Sequence, residues 1–206
     1  MEAVTFVEPA QEPEGVTPLD PDEAEGLLHS HVTTRGELDQ LEQLNIAQGL
    51  MWMSARPHFD ILEHGNIEEL HTRLFGEVWA WAGVYRRTEK TIGVDPVTIS
   101  VDLRHLLDDA RYWAEHKTFA PLEAAARFHH RLVQIHPFPN GNGRHARIST
   151  DEYLSTYFEH DAINWNAGQT LTNNSERRDT YIAALRLADG HDFSALFDFV
   201  GVSKQH

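Results

Sequence analysis

From residue 34 onward, apolar positions recur every three or four residues in successive blocks, and the breaks fall at glycine, proline or short polar runs. That spacing predicts a series of amphipathic helices. Leu38, Leu41, Ile46, Leu50 and Trp52 mark the first, opened by Thr34-Arg35-Gly36-Glu37, whose threonine and glutamate have capping-box spacing. Gly65-Asn66 opens a second, with Ile67, Leu70, Leu74, Val78 and Trp81 down one face and Gly83 at its end. Helical spacing resumes over about 101–116, 121–135, 142–159, 176–189 and 192–200. One stretch departs from it. Thr91-Ile92-Gly93-Val94 and Val97-Thr98-Ile99-Ser100 flank Asp95-Pro96, which predicts two short strands about a turn. The expected fold is all-α: a helical bundle with one short β-hairpin and no internal repeat.

Ahead of this pattern, residues 1–24 are rich in Glu, Asp and Pro and read as an acidic leader, extended or disordered. Residues 25–64 then make an N-terminal helical segment, and 65–206 make the core with its C-terminal helices. A chain of 206 residues, 41% of them hydrophobic, can fill a single substantial core. Charge narrows the partners: 17 Lys and Arg against 32 Asp and Glu leave a net charge of −15, which opposes binding to nucleic acid or to an anionic membrane. The absence of cysteine excludes disulfides and thiolate zinc sites. With no long apolar run and no signal-like N-terminus, a cytoplasmic protein is the default. The 14 histidines include His29 with His31, His129 with His130, and His145, but no H-E-x-x-H pair that would suggest a metal hydrolase.

The densest chemistry lies in His136–Arg147, H-P-F-P-N-G-N-G-R-H-A-R. His136 is the group here that can be neutral and basic near pH 7. Gly141-Asn142-Gly143 can present consecutive backbone N–H groups at a helix N-terminus, which favours an anion. Arg144 and Arg147, three residues apart, share a face of that helix's first turns. Two guanidiniums beside an amide nest suit a di- or triphosphate.

These residues resemble the motif of the Fic (filamentation induced by cAMP) family, H-x-F-x-[D/E]-G-N-G-R-x-x-R, at every fixed position but one: Asn140 stands where the acid is usual. Leu70–Phe75, Val78–Gly83, Gly93–Ser100 and Phe128–Ile135 extend the resemblance over roughly residues 65 to 190. Thr33–Ile46 and Asn140 are similar to the bacterial subgroup called mobile mystery protein B.

The resemblance implies a Fic-type bundle and a protein adenylyltransferase that moves AMP from ATP to a Ser, Thr or Tyr hydroxyl of a target protein. His136 would be the general base and Phe138 the anchor of the loop. Gly141, Asn142 and Gly143 would form the anion hole, with the Asn142 side chain as an added donor. Arg144 and Arg147 would hold the β- and γ-phosphates. At Gly143 the phosphorylating Doc branch has a lysine, so glycine implies nucleotidyl transfer. The family acid binds Mg²⁺ (or Mn²⁺) on the phosphates; Asn140 offers only a neutral carbonyl, which implies a weaker metal site and slower turnover. The hairpin, through Thr91, Ile92, Gly93 and Val94, matches the family's target-binding flap. Thr33–Leu38 matches five of six positions of the family's inhibitory helix, [S/T]-x-x-x-E-[G/N], which would bring Glu37 to Arg147; Thr172–Arg177 has the same partial spacing. The alternative reading is a weakly active or inactive Fic-fold nucleotide-binding module of a two-gene toxin-type system, with a small helix-turn-helix partner.

Overall fold

A computed structural model describes residues 21–57, 59–165 and 175–202. Most of the expected leader and the first residues of the Thr172–Arg177 pattern lie outside these described residues. The chain forms eight helices within them: α1 (Pro21–Ala24), α2 (Arg35–Ser54), α3 (His64–Phe75), α4 (Ile99–His116), α5 (Pro121–Ile135), α6 (Asn142–Phe158), α7 (Ser175–Asp189) and α8 (Ser194–Val200). No helix is long and apolar enough to cross a membrane among the described residues.

Helix α5 is the central element. Pro121 starts it, where a missing N–H costs nothing, and Ala124, Ala125, Ala126, Phe128, His129, His130, Leu132 and Ile135 are buried along it. Its Phe128 and Leu132 join Leu70, Leu74, Leu103, Ala146 and Tyr153 in the main core. Its Ala125 and Ala126 face a second core with Leu154, Trp165, Tyr181, Ala184 and Leu196. The alanines allow close approach on both sides, so α5 and α6 are wedged between the α2–α4 layer and the C-terminal pair α7 and α8. This fixes the α5–α6 connection, which is the motif loop.

Two expectations are corrected. The second helix stops at Phe75 rather than running to Gly83. A tertiary contact ends it: Asn45 on α2 donates from Nδ2 to Arg73 O at 3.0 Å and accepts from Glu77 N at 2.9 Å. Gly49 permits that contact, since a Cβ there would lie 2.8 Å from Arg73 O. Beyond it, residues 26–28 run beside 78–80 through Leu28 N to Val78 O (2.9 Å) and Ala80 N to Gly26 O (2.8 Å).

The β-hairpin does not form; among the described residues the β contact is an isolated bridge between Leu27 and Trp79. Residues 86–95 are an irregular loop, and Pro96–Thr98 is a 3₁₀ turn leading into α4. Asp95 explains the difference. Its side chain accepts from Val97 N at 3.0 Å, with Pro96 at the first helical position. Asp-Pro is as good a helix start as a hairpin turn, and Ile99 then enters the main core from α4.

Candidate active site

Helix α5 delivers His136 in a left-handed conformation, φ 52° and ψ 61°, and Pro137 prevents the helix from continuing. Phe138 is fully buried, its ring stacked on His71 at 3.7 Å between centroids. The loop is then closed by Asn142, whose Oδ1 accepts from Phe138 N (2.9 Å) and whose Nδ2 donates to Phe138 O (2.7 Å). The Oδ1 and one N–H of Nδ2 are thus engaged in holding the loop closed, and the backbone amide is a further donor that Asn142 offers an anion.

His71 on α3 holds the other side. Its Nδ1 accepts from Gly83 N at 3.0 Å, which leaves Nε2–H to donate to Asn140 O at 3.0 Å. Burial holds this imidazole well below the usual histidine range, with His145 adding to the effect. Gly141 sits at φ 77°, and a Cβ there would lie 2.8 Å from the Phe75 ring, so glycine is required twice over.

Within α6 the first bonded amide is His145, to Gly141 O at 2.9 Å. The N–H groups of residues 142–144 therefore project from the helix end, as an anion site needs. Arg144 lies over Phe75 at 4.8 Å and pairs with Glu42 Oε2 at 2.6 Å. Arg147 folds back, its Nη1 3.6 Å from where a Gly143 Cβ would stand. The Tyr181 hydroxyl lies near the Arg147 guanidinium and favours its charge, against the burial that opposes it. Tyr181 also meets His129 Nε2 at 2.7 Å, and His129 Nδ1 meets Thr150 Oγ1 at 3.3 Å.

His136 is 4% exposed, and burial, then the Arg86 guanidinium, push its imidazole down to about 4. Its ring is thus neutral at physiological pH, as a base must be, but intrinsically weaker than the near-neutral value expected. The loop at 91–94 crosses directly over it: at Gly93, φ 124°, a Cβ would stand 3.1 Å from His136 Cβ. The main chain that passes His136 here is irregular rather than the expected hairpin.

Glu37 is not brought to Arg147. It is exposed, its Oε2 accepts from Thr33 N (3.1 Å) and Thr34 N (3.0 Å), and the reciprocal bond from Glu37 N to Thr34 Oγ1 completes a capping box. The α2 carboxylate that reaches a motif arginine is Glu42, five residues further on, against Arg144. Glu42 is buried, and it also accepts from Trp79 Nε1 at 2.8 Å.

Nor do the residues present fit a protein-held divalent cation. Asn140 Oδ1 already accepts from Gly141 N at 2.6 Å. No group of three or more His, Asp or Glu could hold a metal ion among the described residues. His145, in the sequence a possible ligand, is buried with Nε2 3.0 Å from Ile67 O.

Glu42, His71, Arg86, His129 and Tyr181 complete the surroundings of the motif. Each sits on a different segment, and no spacing rule links them to residues 136–147 in the sequence. The one signal is burial of a polar residue on an apolar face, as with His71 between Leu70 and Leu74.

Residues 61–154 match the sequence model of the Fic/DOC family. "Protein adenylyltransferase Fic" of Aedes aegypti is 34% identical over 99 residues, which is 46% of this chain and 20% of that protein. "Protein adenylyltransferase fic-1" of Caenorhabditis briggsae is 38% identical over 87 residues, 40% of this chain and 17% of that one. The chain thus spans about a fifth of the length of these curated relatives. Among solved structures, Fic-1 of C. elegans (residues 134–508) superposes with a TM-score of 0.65 at 24% identity, covering 88% of this chain and 54% of that one. BepC of Bartonella tribocorum, solved with bound AMPPNP, gives 0.67 at 17% identity, covering 86% and 95%. At these identities the superpositions establish the Fic fold.

Proposed function

We propose that this protein is an adenylyltransferase that moves AMP from ATP to a hydroxyl side chain of a target protein. The observation that carries the reading is one loop that joins a buried, neutral His136 to the open amides and two arginines of the α6 N-terminus, under a main-chain flap at Gly93. The names of the curated relatives support the same chemistry.

ATP would lie with its phosphates at the amides of residues 142–144, flanked by Arg144 and Arg147, whose forks suit bidentate phosphate contact. The target hydroxyl oxygen attacks the α-phosphorus. Its proton passes to the His136 imidazole, the bond from the α-phosphorus to the bridging oxygen breaks, and pyrophosphate leaves. A target–AMP phosphodiester remains. An incoming polyphosphate anion raises the imidazole's proton affinity just where the proton is to be received. The amides and guanidiniums stabilise the charge that gathers on the phosphate oxygens without reorganising.

One observation favours the runner-up, a nucleotide-binding module of low activity. Glu42 occupies Arg144, and the Asn140 oxygen is engaged by Gly141, so two groups expected at the nucleotide are already partnered. In the transferase reading this makes the described state a resting one, from which phosphate displaces Glu42. Incubation with ATP labelled at the α- or the γ-phosphate and a bacterial lysate distinguishes the readings. Label on protein from the α-position alone identifies adenylyl transfer, label from the γ-position identifies phosphorylation, and no label with intact ATP binding identifies the module.

A further inference from the structure

Arg86 lies outside the motif and belongs to no helix, yet it is 3% exposed and its guanidinium reaches four main-chain carbonyls. Nε donates to His136 O at 2.7 Å and Nη2 to Ile135 O at 3.3 Å. Nη1 donates to Thr88 O at 2.9 Å and Nη2 also to Val94 O at 2.5 Å. The first pair of acceptors is the C-terminal end of α5, and the second pair is the two limbs of the flap loop.

We propose that Arg86 is a positioning residue that locks the flap and His136 into one unit, so that a target segment lying on the flap is presented to the base in fixed register. The inference rests on the transferase reading. The last carbonyls of a helix have no partner within it, and a left-handed residue at its end is costly unless its surroundings hold it. Arg86 answers both needs at α5 and turns the helix terminus into an anchor for the flap. The main chain adds two ties, Arg86 N to Pro137 O at 2.9 Å and Val94 N to Ile135 O at 3.4 Å. Gly93 completes the contact, because a Cβ there would stand 2.4 Å from Arg86 Nη2.

A planar five-donor fork can serve four acceptors in these directions, whereas a lysine ammonium is a single point with three donors. Burial works against the charge of Arg86, while Asp95, Glu23 and Glu89 favour it. That cation in turn helps keep the neighbouring imidazole unprotonated. Another cation of the loop is latched elsewhere: Lys90 Nζ pairs with Glu23 Oε2 at 2.6 Å, both side chains nearly buried.

The test compares wild type with Arg86→Lys, which keeps the charge and loses the fork. Misplacement of a reacting group by about 1 Å costs on the order of 100-fold, so kcat/KM for the target protein should fall by about 10- to 100-fold while ATP affinity stays within about two-fold. Amide exchange at Val94 and at His136 should accelerate together in the variant. Equal losses of ATP affinity and transfer, or a flap whose exchange is unchanged in the folded variant, would overturn the proposal. If Arg86→Lys does not fold, native-state exchange of the wild type decides instead. The amides of Arg86, Val94 and His136 are expected to open with one common free energy, and independent opening of Val94 would refute the coupling. A wild type that labels no protein overturns the transferase reading and Arg86's part in it; the exchange data then decide the mechanical link alone.

Discussion

Glu42 Oε2 stands 2.6 Å from Arg144 Nη1, so a buried carboxylate of α2 already holds the first arginine of the motif. An exposed pair of this kind would contribute little, but here the acid is 6% and the base 32% exposed in its side chain. A phosphate oxygen and the carboxylate compete for the same fork.

Glu42→Gln is expected to tighten ATP binding by about three- to ten-fold, since roughly 1 kcal/mol of charge-assisted competition is removed. The amide oxygen can still accept from Trp79 Nε1, so the fold should tolerate the change. Glu37→Gly gives the contrast: Tm falls, because the capping box is lost, while ATP affinity is unchanged. Calorimetric ATP titration and thermal melts of both variants check the pair.

Tyr181→Phe removes the hydroxyl that meets His129 and favours the charge of the nearby Arg147, without changing the packed ring. It leaves a buried imidazole nitrogen unsatisfied, at about 1–3 kcal/mol, and lets the second motif arginine swing. KM for ATP should rise several-fold with a smaller change in kcat. An unchanged KM would show that Arg147 is held without α7.

Acid should destabilise the protein well above the range of ordinary carboxylates. His136 and His145 are lowered to about 4, His129 to about 3, and His71 is also lowered, all chiefly by burial. Below the unfolded value of about 6.5 the unfolded chain binds protons that the folded one refuses. Stability is therefore full above pH 6.5 and is lost as pH falls towards 4, on the order of 1 kcal/mol per histidine per unit. Asp151, raised by burial to about 6, works in the opposite sense and offsets part of this. Denaturant unfolding at pH 7.5, 6 and 5 measures the slope.

The sequence was informative where one segment carries its own meaning. Helix α5 was legible to the residue because Pro121 and His136-Pro137 bound it, and the motif loop because its residues act on one another within seven positions. The hairpin was misread because Asp95-Pro96 serves a strand turn and a helix start equally, and only the burial of Ile99 decides. The end of α3 was misread because Asn45, far away in the sequence, stops it. Glu42, Arg86 and Tyr181 were invisible for the same reason: their meaning lies in partners 102, 50 and 52 residues distant.

Asn140→Asp preserves the acceptor for Gly141 N and adds a charged oxygen that can face a nucleotide-bound cation. Transfer should become more sensitive to Mg²⁺, with half-saturation at lower Mg²⁺ than in wild type. An identical Mg²⁺ titration in the two proteins would mean that position 140 does not meet the cation.

His136→Ala decides most. The imidazole acts on the proton of the attacking hydroxyl and not on ground-state phosphate contacts, so its loss should lower the rate of AMP transfer from α-labelled ATP by about 10²- to 10⁴-fold. ATP affinity, measured on the same sample by titration calorimetry, should stay within about two-fold of wild type. Transfer by the variant at the wild-type rate would contradict His136 as the base, and with it the reading of this loop as an adenylyl-transfer site.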